Sequence, residues 1–188
     1  MDKVRLYAFS VRLSISDLSH LDDTLEQQDD KVDFDYFKIT RTLGAEVGAN
    51  KEIFKELLVE MLSCDCKRLF SFGQGLYDGC AEPKKMWKDF CQTLSLVEEA
   101  SRNFGILCGF LNAISQIYIT ISEELLQEAI YDKVLAIAYP LLQANVTFTQ
   151  KSLERIKASI EYGVAPLCYY SNLEYRGDNS VISDEDWF

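Results

Sequence analysis

The sequence offers little to a catalytic reading. It contains one histidine in 188 residues, His20, which stands in an acidic stretch. Any Ser/His/Asp or Cys/His arrangement would have to be built on that residue. The acids are numerous, but they fall on loops and polar faces where a solvated carboxylate is the ordinary state. No enzyme activity and no cofactor are expected. Prolines are also scarce, three in all, so few points force a helix to stop. No segment of useful length alternates apolar and polar residues as a half-buried strand would, and no internal repeat is present.

Positive charge is missing as a stripe. The formal charge is −11, and all of it lies in two segments. Residues 16–35 (SDLSHLDDTLEQQDDKVDFD) carry net −7 and residues 174–188 (EYRGDNSVISDEDWF) carry net −4. The rest is balanced, with no basic surface for a phosphate backbone, so nucleic-acid binding is not expected. The expected plan is a single helical domain over 1–170, with an acidic loop at 16–35 and an acidic, flexible tail at 171–188.

Long hydrophobic runs are interrupted too. Phe104 to Ile121 is the most apolar stretch, yet it contains Asn112, Ser115, Gln116 and Thr120. It is expected to be a core helix and not a membrane span. Asp2, Arg5 and Arg12 break any signal-peptide core, and DEDWF is no tail anchor. The chain is therefore read as cytoplasmic, with its six cysteines reduced.

What is present is helical periodicity. Residues 3–15 set Val4, Leu6, Phe9 and Leu13 near one face. Residues 36–48 have the pattern of a helix loosened by Gly44 and Gly48. Residues 50–70 predict a strong amphipathic helix behind an Asn50 cap, with Ile53, Phe54, Leu57, Leu58, Met61 and Leu62 as its stripe. The glycine-rich SFGQGLYDGCAEP is expected to break that helix, and no GK[ST] follows to make it a phosphate loop. Pro83 opens a helix bearing Met86, Trp87, Phe90, Leu94 and Val97. Residues 102–121, apolar nearly all round, predict a central helix. A helix over 123–143 should kink or end at Pro140, and Thr149 should cap another at 150–162. The expectation is an all-α bundle of about seven helices around the hydrophobic helix 102–121.

Cys64, Cys66, Cys80 and Cys91 raise a helical metal-binding protein as an alternative. Their spacing departs from the paired C-x₂₋₄-C of structural zinc sites, and buried structural thiols account for them better.

Asn103, Phe104 and Gly105 open the central helix. A glycine in a helix costs about 1 kcal/mol relative to alanine, so its presence asks for a reason. The three residues resemble the Asn-Trp-Gly-Arg signature of the Bcl-2 family of apoptosis regulators, and LCGFLNAI resembles its continuation. DKVRLYAFSVRLSI is similar to the family's first helix. LGAEV (Leu43 to Val47) stands where the family's death-motif helix carries Leu…Gly-Asp-Glu. The resemblance runs in order over residues 2–121.

It implies a Bcl-2-like bundle whose hydrophobic groove holds amphipathic death-motif helices of pro-apoptotic proteins, so that the chain inhibits apoptosis. By that analogy the groove is lined by Val47, Ile53, Phe54, Leu57, Leu58 and Met61, and from the other side by Trp87, Leu94 and Val97. Arg102, Asn103 and Phe104 belong to the same site, with Gly105 at its floor. Three departures qualify the match. Ile106 replaces the signature Arg that pairs with the ligand's Asp, which implies weaker or altered ligand choice, a substitute cation such as Arg102, or no binding of the family's usual kind. No Gly-Gly-Trp motif follows, and no anchor ends the chain. Anchorless, diverged members imply a viral protein in the host cytoplasm, recruited to mitochondria through its partners. They also imply a second expectation: a viral modulator of innate immune signalling, acting through its surface or a homodimer.

Overall fold

The computed structural model describes residues 2–9 and 29–176. Among these residues every regular element is helical and no strand occurs. A short α1 (Asp2–Val4) runs into a wide π-turn (Arg5–Phe9). Then come α2 (Asp29–Ala49), α3 (Lys51–Ser63), α4 (Leu69–Gly79), α5 (Pro83–Leu94) and α6 (Gly105–Ile117). They are followed by α7 (Ile119–Ala129), α8 (Tyr139–Gln143) and α9 (Gln150–Tyr162). Three 3₁₀ turns, Glu99–Ser101, Ala136–Ala138 and Leu167–Arg176, complete the order. The chain falls into two compact units, Met1–Phe110 and Leu111–Phe188, with the boundary inside α6. The expected acidic loop and tail lie outside the described residues, except that 29–35 belong to α2 and 171–176 to the last 3₁₀ turn.

Several helix starts follow directly from side-chain chemistry. Asn50 accepts hydrogen bonds from the backbone N–H of Glu52 and Ile53 at 3.1 and 3.2 Å, which satisfies two otherwise orphaned donors of α3. Pro83 stands in the first turn of α5, where a missing N–H costs nothing. Thr149 and Ser152 form a reciprocal capping box at α9, and Gly163 ends that helix at φ 73°.

The expected helix over 50–70 stops at Ser63, and the cause lies far away in sequence. Asn103 donates its backbone N–H to Leu62 O at 2.8 Å and its side-chain amide to Cys64 O at 3.0 Å. The terminal carbonyls of α3 are thereby satisfied without another helical turn. Residues 102–121 likewise do not form one helix. Tyr118 adopts φ −133°, ψ 74° between α6 and α7, leaving Ile117, Tyr118 and Ile119 at 63, 56 and 38% exposure. The expected helix over 123–143 ends at Ala129, and Pro140 starts α8 instead of ending a longer element.

The largest departure is the glycine-rich SFGQGLYDG, which forms most of α4. Seven of the eleven α4 residues are buried. A methyl group on Gly44 would strike Phe72 O and one on Gly48 would strike Leu76 O. From the other side, Gly75 faces Arg41 O and Gly79 faces Ala45 O. The two registers advance together, so α2 and α4 run parallel, with backbones touching along a small-xxx-small seam on each helix. Gly73 and Gly109 play the same part between α4 and α6, against Ile106 O and Phe70 O. Glycine's poor helix propensity is outweighed by contacts that any side chain would prevent. Arg41 ties the seam at its edge, donating Nε and Nη2 to the two oxygens of Asp78 at 2.6 and 3.1 Å.

Because the obstructing atoms are backbone, a methyl at the seam has nowhere to go. Gly75→Ala should cost about 3 kcal/mol, the upper part of the usual overpacking range, read as a lowered midpoint in chemical denaturation. A variant as stable as the parent would show that the seam is looser than described.

Candidate functional site

The apolar residues expected to line a groove come from α2, α3 and α5, with Val97 just past α5, and all of them but Ile53 are buried. Leu57, Met61 and Leu94 have no exposed surface, and Val47, Trp87 and Phe54 are at 2, 2 and 3%. Leu58 and Val97 are buried and Ile53 is half-buried. The Phe54 and Phe90 rings meet edge to face at 5.6 Å, and Phe90 meets Phe110 the same way at 5.3 Å. The α3 and α5 walls therefore touch through Phe54 and Phe90.

The remaining candidates gather at a junction of three helix ends. Arg102 donates Nε to Leu94 O and Val97 O at 3.0 and 3.1 Å, closing the C-terminal end of α5. A guanidinium is well suited to terminal carbonyls. Asn103 holds the end of α3, while its side-chain oxygen accepts the Gly105 N–H at 2.8 Å and caps α6. One amide thus serves both helices. Phe104 and Gly105 are half-buried beside it. A Cβ on Gly105 would meet Asn103 Oδ1 at 3.0 Å and the Leu69 side chain at 3.3 Å, with no backbone in the way.

A pocket of about 120 Å³ opens instead near the N-terminal ends of α3 and α5, and sequence reading passed over it. Phe54 and Met86 give it an apolar wall, while Lys51, Lys55, Lys85 and Glu82 stand at its edge. Lys51 Nζ is 2.9 Å from Glu82 Oε2 and Lys85 Nζ is 3.6 Å from it. The hydrogen bond and charge of Lys51, with help from Lys85, hold the Glu82 carboxyl below its usual range. The signal was the pair of helix starts at Asn50 and Pro83, each followed by lysines. Their convergence is a property of the tertiary fold.

The cysteines are free, and among the described residues no group of three or more His, Cys, Asp or Glu is placed to hold a metal ion. Burial, reinforced by Cys66 and Glu60, pushes the Cys64 thiol up to about 12. It is held as the unreactive thiol. His20 lies outside the described residues. No helix among the described residues is long and apolar enough to cross a membrane.

Comparison with protein-family models, curated proteins and solved structures gives no match.

Two outcomes follow from this geometry. Asn103→Ala strands the Cys64 carbonyl and uncaps α6, so it should cost about 1–3 kcal/mol, measured by urea denaturation; a neutral result would remove Asn103 as the tie between the helices. In the native state at pH 8, Cys64 should resist iodoacetamide long after the exposed Cys168 has reacted, followed by peptide mass mapping. Equal rates would contradict the burial described for Cys64.

Proposed function

We propose that this chain is a helix-binding interaction protein of the Bcl-2 type, whose partners are amphipathic death-motif helices of pro-apoptotic proteins and whose effect is to restrain apoptosis. The observation that carries the reading is Gly105. Six of the other described glycines have a backbone carbonyl where a Cβ would sit, and Gly163 has a positive φ. Gly105 has neither reason. Its nearest neighbours are side-chain atoms, Asn103 Oδ1 at 3.0 Å and Leu69 Cβ at 3.3 Å. A glycine with neither a backbone obstruction nor a positive φ, at a half-buried position capped by Asn103, suits the close approach of a small residue from a partner helix. The helical fold and the order of LGAEV, the α3 stripe and Asn103-Phe104-Gly105 along the chain agree with this.

Ile106 is fully buried, and Arg102 is engaged with Leu94 O and Val97 O. A ligand carboxylate at this junction would compete with those carbonyls for Arg102. Binding on this reading also requires α3 and α5 to part, which exposes Leu57, Met61, Trp87 and Leu94.

The closed packing of those residues favours a second reading: a Bcl-2-like module that modulates innate signalling through its surface or as a homodimer, with the groove silent.

Calorimetric titration of the full chain with a panel of death-motif helical peptides tests both. The first reading expects micromolar binding or tighter, about −8 kcal/mol, weakened at least tenfold in Gly105→Leu, with the chain eluting as a monomer. No heat across the panel, together with a dimer on gel filtration, would replace it by the second.

A further inference from the structure

In the second unit, α9 buries a cation. Arg155 is 3% exposed. Its Nε donates to Gln143 Oε1 at 3.2 Å and its Nη2 to Ser152 Oγ at 3.1 Å. Gln143 Oε1 also accepts the Tyr139 hydroxyl at 3.1 Å, and Gln143 donates Nε2 to Ser152 Oγ at 3.3 Å. Tyr139 and Gln143 have no exposed surface, and burial keeps the Tyr139 phenol protonated. These hydrogen-bond partners are all neutral. Among the described residues no carboxylate lies within ion-pair distance of Arg155. Glu123, whose carboxylate is close enough to feel the charge of Arg155, accepts its hydrogen bonds from Thr149 Oγ1 at 3.0 Å and from Lys151 Nζ at 3.2 Å.

Buried guanidinium groups are normally paired, because removing a charge from water is costly and neutral dipoles return only part of the loss. Arg155 is instead part of the lining of a cleft of about 470 Å³ between α7 and α9. That volume lies within the range of small-molecule sites. Lys151 lines the cleft from α9, and Thr120, Glu123, Glu124, Gln127 and Glu128 line it from α7.

We propose that this cleft binds a small zwitterion, with its carboxylate on the Arg155 guanidinium and its cationic group against the glutamates of α7, Glu128 foremost. The lining chooses the ligand's charge. A cation alone would leave Arg155 unpaired, and a multiply charged anion would be repelled by the acidic wall of α7. A molecule with one charge of each sign at separate ends satisfies both walls. Glu123 belongs to the frame and not to the ligand's partners, because Thr149 and Lys151 already occupy its oxygens. Its carboxyl stays below the usual range: burial would raise it, but those two hydrogen bonds and the positive charges of Lys151 and Arg155 prevail. The inference does not depend on the helix-binding reading.

The probe is 5-aminovalerate, titrated into the full chain at low salt by calorimetry, with valerate and pentylamine as single-ended controls. The Nε–H resonance of Arg155 is followed by NMR in parallel. One-to-one binding of 5-aminovalerate, at least tenfold tighter than either control and accompanied by a saturating Arg155 shift, is expected. Arg155→Met should lower affinity at least tenfold. Glu128→Gln should weaken 5-aminovalerate while leaving valerate unchanged; because Glu128 is exposed, that variant keeps the test valid if Arg155→Met does not fold. Valerate binding as tightly as 5-aminovalerate would overturn the zwitterion assignment. No saturation by heat or by resonance shift would overturn the site.

Discussion

The first unit depends on backbone lying against backbone. Where α2 and α4 meet, Gly44, Gly48, Gly75 and Gly79 leave no side chain between the helices, and carbonyls occupy the places that Cβ atoms would fill. Such an interface gains from many weak dispersion contacts at short range and loses almost no side-chain entropy, because there are no side chains to order. It is also unforgiving, since neither face can yield by changing rotamer. The Arg41–Asp78 pair at its edge is about 40% exposed on both sides and contributes direction more than energy. With α4 fixed this way, and α6 set on it through Gly73 and Gly109, the remaining helices of the unit have a rigid surface to cover.

That rigidity has a consequence for the proposed binding of helices. Leu57, Met61, Trp87 and Leu94 are buried together, and each is worth about 1.5–3 kcal/mol against exposure. Parting α3 from α5 without a ligand would therefore forfeit something on the order of 6–12 kcal/mol. A partner helix must return that burial before any net affinity appears, so its apolar residues have to replace the contacts that the walls now make with each other. Asn103 holds the end of α3 to the start of α6, so α3 is anchored at Leu62 and Cys64, and Lys51 ties its other end to Glu82.

The local chemistry of helix starts was legible in the sequence. Asn50, Pro83 and Thr149 each act at the position where their side chains or ring would be useful, because a cap is decided within four residues. The α3 stripe was legible as apolar for the same reason. Which neighbour covers it was not, because burial of Leu57 or Leu94 is decided by segments distant in the chain. The glycines were misread for a physical reason. Propensity records what a glycine costs an isolated helix, about 1 kcal/mol, and does not record what an adjacent helix gains by its absence of a side chain. The end of α3 was equally illegible, since the amide that terminates it belongs to Asn103. Arg155 had the opposite disguise: a charged residue in an amphipathic helix reads as part of the solvated face, and only the fold reveals that Gln143, Ser152 and Tyr139 enclose it.

Two residues retain a cost that the fold does not offset, and they differ in kind. Gly105 costs helix propensity where alanine would press only on the oxygen of its own cap and on Leu69. Arg155 costs desolvation where an apolar residue of similar length would need no partner at all. The seam glycines, by contrast, have their close backbone contacts, and Asn103 has its three hydrogen bonds. On the readings proposed above, the two costs answer to different demands: close approach of a partner's surface at Gly105, which needs shape, and a ligand's charge at Arg155, which needs a dry cation.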